Sequence, residues 1–194
     1  MRPILRILAA GFISLLIGLA TAWLTIDGGL ALTNVQIGPW VIWPTAADPA
    51  ADPYTKSNIA RSGRLQISGA SARYYHATED SAGRQLWSSC DYVVEGRAID
   101  ALWWSLAAYD QDGKVFRNKA DRHAFNSANI FLREDDTFDI SISSNARPGN
   151  WLPVLGDDTF QLVLRVHWPA TLEDSFGAPL LDLGLPSITR IDCR

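Results

Sequence analysis

The sequence predicts a mainly β protein: a jelly-roll-like β-sandwich with one short helix, preceded by one transmembrane helix. Three observations point there. An uncharged, mostly apolar run fills Ile7 to Ile26. One later segment carries helix-boundary signals. The remainder alternates short period-two stretches with polar turns, the pattern of stacked sheets rather than of an α/β domain.

The N-terminal run comes first. A helix rising about 1.5 Å per residue needs roughly 20 apolar residues to cross about 30 Å of hydrocarbon, and Ile7 to Ile26 supplies them. Arg2 and Arg6 precede it, and Asp27 is the first charge after it. The positive-inside rule then puts the N-terminus in the cytoplasm and the rest in the periplasm, a single pass through the inner membrane. Trp23 stands where an interfacial aromatic would hold the exit end. Ala20-Thr21-Ala22 also matches a signal-cleavage pattern, so a removed signal peptide competes. The apolar run is long for a signal and continues through Trp23, Leu24 and Ile26, which favours retention. Both readings export the rest of the chain. The expected division is 1–27 as anchor or uncleaved signal, 28–52 as linker and 53–194 as sandwich.

Within the linker, Gly38-Pro39-Trp40 through Pro53 is rich in Ala, Pro, Asp and Trp and reads as extended chain. Asp52-Pro53 reads as an N-cap followed by proline at the first helical position. A short helix should run to Arg61 or Ser62, with Gly63 ending it. Strand signals come next. Leu65 and Ile67 alternate with polar neighbours; Tyr74, His76 and Thr78 share one strand face, opposite Arg73, Tyr75 and Ala77. Glu79 to Gly83 is a turn, and Leu86 to Val94 resumes an extended pattern. Ala101 to Tyr109 reads as a central strand closed by the turn Asp110-Gln111-Asp112-Gly113. Phe138, Ile140 and Ile142 alternate cleanly, as do Phe160, Leu162, Leu164 and Val166.

Composition sets further bounds. With 194 residues, 47% hydrophobic and 20% charged, the chain can bury a real core without needing a metal or disulfide to fold. A net charge of −4 with no basic run argues against nucleic acid, which requires clustered Lys and Arg. Cys90 and Cys193 both fall in the exported part and form a disulfide candidate. Two unrelated buried thiols are the alternative. No CxxC spacing supports redox or zinc chemistry.

Three stretches together resemble a bacterial family known as domain of unknown function 1214. They are Asp52-Pro53-Tyr54-Thr55-Lys56 with its helix and Gly63; Ala101 to Leu106 through Tyr109-Asp110, Gly113 and Asn118; and Asn150-Trp151-Leu152-Pro153 followed by Phe160, Leu164, Arg165 and Pro169. The similarity runs from about Trp40 to Ile191. Lys56, Trp103 and His167 depart from it, standing where Arg, Phe and Tyr are expected. The resemblance implies a jelly-roll sandwich with no settled activity and no catalytic residues to carry over. It also implies a neighbour: members often lie beside, or are fused to, domain of unknown function 1254. The 194 residues leave no room for that domain, so a separately encoded envelope partner is expected by analogy.

Several clusters invite chemistry. Asp110, Asp112 and Asp121 with Arg122 and His123 superficially resemble a calcium loop, but no bidentate Glu follows and Phe116 and Arg117 interrupt the ligand positions. An Asx-rich hairpin turn is the ordinary explanation. His76, His123 and His167 lie far apart without metal-ligand spacing, so no metal or cofactor is expected, although a jelly roll can gather distant strands. Glu79, Asp80, Glu95 or Asp139 could pair for glycoside hydrolysis, which requires two carboxyls about 5–9 Å apart. Catalytic residues stay unassigned, because serines are plentiful but no GxSxG elbow occurs.

Tryptophan is the more informative excess, with eight in the chain. Trp103, Trp104, Trp151 and Trp168, with Tyr74, Tyr75 and Tyr109, could line an apolar or sugar-stacking groove; filling the core is the ordinary alternative. Adjacent Trp103 and Trp104 on one strand must point to opposite faces, so one of them needs a cover. The sequence therefore favours a membrane-anchored, non-catalytic partner-binding module. An envelope hydrolase acting on a glycan or lipid-linked substrate in a jelly-roll cleft is the alternative.

Overall fold

The computed structural model describes residues 2–28, 34–46, 48–62, 72–167 and 184–193. Two compact units make up the chain: Met1–Val35 with Trp43–Gln66, and Gln36–Ile42 with Ile67–Arg194.

The first unit is helical. Helix α1 spans Arg2–Gly28; its stretch Pro3–Ile26 is long and apolar enough to cross a membrane, and none of its most apolar window is buried. Its two threonine hydroxyls do not oppose that environment. Thr21 Oγ1 donates to Ile17 O at 2.9 Å and Thr25 Oγ1 to Thr21 O at 2.8 Å, inside the helix. Helix α2 spans Pro53–Ser62. Asp52 caps it by accepting from the Tyr54 and Thr55 amides at 2.9 and 3.0 Å. Bonding from the Thr55 hydroxyl, then from the Thr55 and Tyr54 amides, holds the Asp52 carboxyl below its ordinary pKa. Gly63, Leu65 and Ile67 lie outside the described residues.

The second unit is a two-sheet sandwich, mainly antiparallel. Its strands are β1 (Val35–Ile37, beginning at the unit boundary), β2 (Trp40–Ile42), β3 (Ala72–Ala77), β4 (Cys90–Arg97), β5 (Trp103–Tyr109), β6 (Ala124–Asn126), β7 (Thr137–Ser143), β8 (Trp151–Pro153), β9 (Gln161–His167) and β10 (Ser187–Cys193). One sheet has the order β1-β2-β3-β9-β5-β6, the other β10-β4-β7-β8. Strands β3, β4 and β5 alternate between sheets, and β9 returns between β3 and β5, antiparallel to both. This back-and-forth is the jelly-roll-like character.

Inner faces meet in a closed core. The six-stranded sheet contributes Tyr75, Ala77, Trp104, Leu106, Leu162, Leu164 and Val166; the other contributes Tyr92, Val94, Phe138, Ile140, Ile142, Leu152 and Ile188. Trp104 stacks on Phe138 at 5.2 Å, and Tyr92 meets Phe160 edge-on at 5.8 Å. Burying side chains of this size stabilises by about 1.5–3 kcal/mol each.

The segment expected as linker holds a surprise. Trp40 is fully buried, and its indole N–H donates to Pro186 O at 2.6 Å. Strands this short leave little periodicity to read, and Trp40 belongs to the core only because β2 pairs with β3 through Val41 and His76. Near the other end, Gly96 permits a close approach: a Cβ there would lie 2.9 Å from Pro186 Cβ and 3.0 Å from Phe138 Cζ. Cys90 and Cys193 sit opposite one another in the β4–β10 register and are disulfide-bonded. The bond ties an edge strand, irregular around Ile191, to its neighbour.

Candidate functional site

The register assigns each candidate side chain to a face. Trp104 pairs with Val166, whose side chain is in the core, while Trp103 pairs with His167 one step along. The two tryptophans therefore point oppositely, as adjacent strand residues must. Trp104 is 2% exposed and packed on Phe138. Trp103 is half-buried on the outer face, its ring edge-on to His167 at 5.1 Å. Exposed Leu102 (72%) precedes it.

Two further rows extend this outer face. Tyr74, Arg165 and Ser105 pair across β3, β9 and β5, and His76, Val163 and Ala107 form the next row. The Arg165 guanidinium lies 5.8 Å from the Tyr74 ring centroid and 5.6 Å from that of Tyr109, and donates to the Tyr109 hydroxyl. The row between Arg165 and Tyr109 holds Val163 and Ala107. Both are buried. The β9 pattern could have revealed the arginine: Leu162, Leu164 and Val166 share the inward phase, and Arg165 is the lone cation on the outward one.

The other aromatics go elsewhere. Tyr75 is in the core, where burial raises its hydroxyl pKa against a smaller opposing pull from Arg73. Trp151 pairs with Ser141, placing it at the edge of the opposite sheet's outer face. It is half-buried, its N–H donating to Ser143 O at 2.9 Å while Arg122 Nη1 donates to its carbonyl at 3.1 Å. Trp168 lies outside the described residues. Trp103, Trp104 and Trp151 thus occupy an outer face, the core and the opposite outer face, so a single groove does not gather them.

Asn150 explains why Trp151 is so firmly placed. Its amide donates to Phe131 O and Asp139 O, both at 2.9 Å, and accepts from the Phe131 amide at 2.9 Å. A 5%-exposed asparagine thereby ties three segments together. Asn118 closes another loop, donating to Phe116 O and Arg122 O at 3.1 and 2.8 Å.

The titratable candidates are dispersed. His123 contacts Phe116 O at 3.0 Å and Asp121 at 3.1 Å within that loop. His76 and His167 share the outer face but stand four register positions apart, roughly 13 Å along the strands. Asp110 accepts from the Lys114 amide at 2.8 Å, and Gly113 at φ 74° completes the turn. Among the described residues no group of three or more His, Cys, Asp or Glu could hold a metal ion. Glu95 and Asp139 are directly opposite across β4 and β7, but on the open polar face, with Asp139 paired to Arg133 at 2.8 Å. Glu79 sits by the turn, bridged to Gln85.

Asp80 has a different role from the one its turn position suggests. It is 1% exposed. Its Oδ1 accepts from the Ala82 and Arg84 amides at 2.9 and 3.0 Å, and its Oδ2 from Arg84 Nε at 2.8 Å, with Arg190 Nε at 3.6 Å. Burial works to raise its pKa, but the Arg84 and Ala82 amides and the Arg84 side chain outweigh it and hold the carboxyl low. Ser81 N donates to Ile188 O and Ile188 N to Ser81 Oγ, at 2.8 and 2.9 Å, fastening the same turn to β10.

Two clefts hold none of these tryptophans. One, of about 440 Å³, is bordered by Asp110, Gln111, Lys114, Phe116, Leu155 and Asp158. The other, of about 430 Å³, lies among Glu95, Arg97, Arg133, Asp135 and Leu185.

A family model described as "Protein of unknown function (DUF1214)" matches residues 71–171, just over half of the chain. The chain belongs to this family. The matched span holds β3 to β9 and the whole Tyr74–Trp103–Arg165–His167 face; the similarity expected from Trp40 to Ile191 is matched only in that central part. No curated protein matches the chain. Among solved structures, the VPA0106 protein from Vibrio parahaemolyticus is similar at 22% identity and a TM-score of 0.57, over 74% of this chain and 36% of that one. An uncharacterized protein from Burkholderia cenocepacia is similar at 23% identity and a TM-score of 0.44, over 64% and 30%. The chain thus spans about a third of the length of these proteins. The Vibrio likeness shows that this DUF1214 sandwich has a known fold.

Proposed function

We propose that this protein is a single-pass inner-membrane protein whose periplasmic sandwich docks a separately encoded envelope protein on the outer face of the six-stranded sheet. The observation that carries the reading is Trp103. It is half-buried beside His167 and exposed Leu102, on a strand whose other face already fills the core. Large rings held in place by neighbours, with an arginine among them, are the residue types that dominate protein interfaces. The paired cysteines suit an oxidising compartment, and Arg2 and Arg6 ahead of α1 suit a cytoplasmic N-terminus. The partner class comes from the family resemblance: a protein carrying domain of unknown function 1254. The Vibrio protein, of which the match to this chain covers 36%, supports the idea that the fold works alongside further polypeptide.

The test is affinity capture of the tagged full-length protein after crosslinking in its own membrane. The reading predicts a stoichiometric envelope partner that Trp103→Ala loses while the variant still melts cooperatively. Retention of the partner by Trp103→Ala together with His167→Ala would overturn it. The hydrolase alternative draws on the Glu95–Asp139 pair, and turnover of cell-wall glycan abolished by Glu95→Gln would favour it instead.

A further inference from the structure

We propose that α2 is a lipid-headgroup collar, lying in the phosphate layer where α1 leaves the membrane and binding anionic lipid through Arg61 and Lys56. This rests on α1 being the membrane segment. Two contacts within the helical unit carry it. Asn58 Nδ2 donates to Ile26 O at 2.9 Å, satisfying one of the last carbonyls of α1, which have no partner inside their own helix. The Arg61 guanidinium lies over the Trp23 ring, 4.4 Å from its centroid.

Trp23 is 60% exposed, and an exposed tryptophan in the last turns of a spanning helix marks the headgroup level. Arg61 is therefore held at that depth by the ring it covers. A cation there also faces the negative end of the α1 dipole. Tyr54, Asn58 and Arg61 succeed one another at four- and three-residue intervals, so one stripe of α2 carries an aromatic, the carbonyl cap and the cation. Lys56 is exposed too, and the helix has no acidic residue. The charge and aromatic pattern match a surface of lipid phosphates.

Full-length protein in vesicles gives the test. The native cysteines are bonded to each other, so a fluorophore attached at Ala60→Cys or Leu15→Cys marks one site. Vesicles of phosphatidylcholine are compared with vesicles that also contain phosphatidylglycerol. The collar predicts that the Ala60 probe is quenched by headgroup-labelled lipid and shielded from aqueous iodide when phosphatidylglycerol is present. Lys56→Gln with Arg61→Gln should reduce that surface-bound state roughly 30-fold, while the Leu15 probe stays quenched by lipid labelled deep in its chains. An Ala60 probe open to iodide in both vesicles, with Leu15 still inserted, would overturn the collar alone. A Leu15 probe open to iodide would overturn the anchor, and the collar with it.

Discussion

The two outer faces of the sandwich are built on the same strand geometry and differ in chemistry, one mostly polar and one richer in aromatic and apolar side chains. Across the four-stranded sheet lie Asp91, Val93, Glu95 and Arg97 on β4, Thr137, Asp139 and Ser141 on β7, and Ser187 and Thr189 on β10. Across the six-stranded sheet lie Tyr74 and His76, Val163, Arg165 and His167, and Trp103, Ser105, Ala107 and Tyr109. The first face gives β7 its clean alternation, which is how a sheet with one wet side should look. The second gives β5 an almost continuous apolar run, the look of a strand covered on both sides. Arg165 joins Tyr74 and Tyr109 on that surface; Trp103 and Leu102 lie at its other end.

The comparison can be pressed hardest at the residues that hold the faces in place. Replacing both cysteines by serine should cost about 4–5 kcal/mol in the chain-entropy limit for a closed loop of this size. Chemical denaturation of the double variant against wild type would measure it, and an unchanged midpoint would mean that β10 holds its register unaided. Trp104→Ala should cost about 3–5 kcal/mol by leaving a cavity against Phe138. Trp103→Ala, one residue away, should cost far less stability and far more partner. If the two variants melt alike, the division into inner and outer tryptophan fails.

A smaller effect separates Asp80 from the surface carboxylates. Its folded pKa is depressed, so its contribution is present above the unfolded value near 3.9 and fades as pH falls through the lower folded value. Asp80→Asn should cost about 1–3 kcal/mol at neutral pH and flatten the acid limb of a stability–pH profile. The smallest change belongs to the wet face: Glu95→Gln or Thr189→Ala should shift stability by less than about 0.5 kcal/mol and leave partner capture intact.

Much of this architecture was legible because it is local. Period-two runs marked β7 and β9, Asp52-Pro53 marked the start of α2, and adjacency alone required Trp103 and Trp104 to diverge. Which of the two turns inward was not legible, since it depends on β5 pairing with β9 in one register rather than the next. Distance in sequence hid the rest. Asp80 is buried only because Arg190 and Ile188 return beside its turn. Trp40 is core only because β2 joins β3 and Pro186 offers a carbonyl. The parallel β7–β8 pairing that sends Trp151 to the wet face's edge also left no local trace.

The claim that the two faces differ in purpose is best tested by placing a photo-crosslinking amino acid at Trp103 or Tyr74, and at Glu95 or Thr189, in full-length protein in its native membrane. The account predicts a discrete protein adduct from the first pair and none from the second. Adducts of equal yield from both faces, or from the Glu95 and Thr189 positions alone, would contradict it.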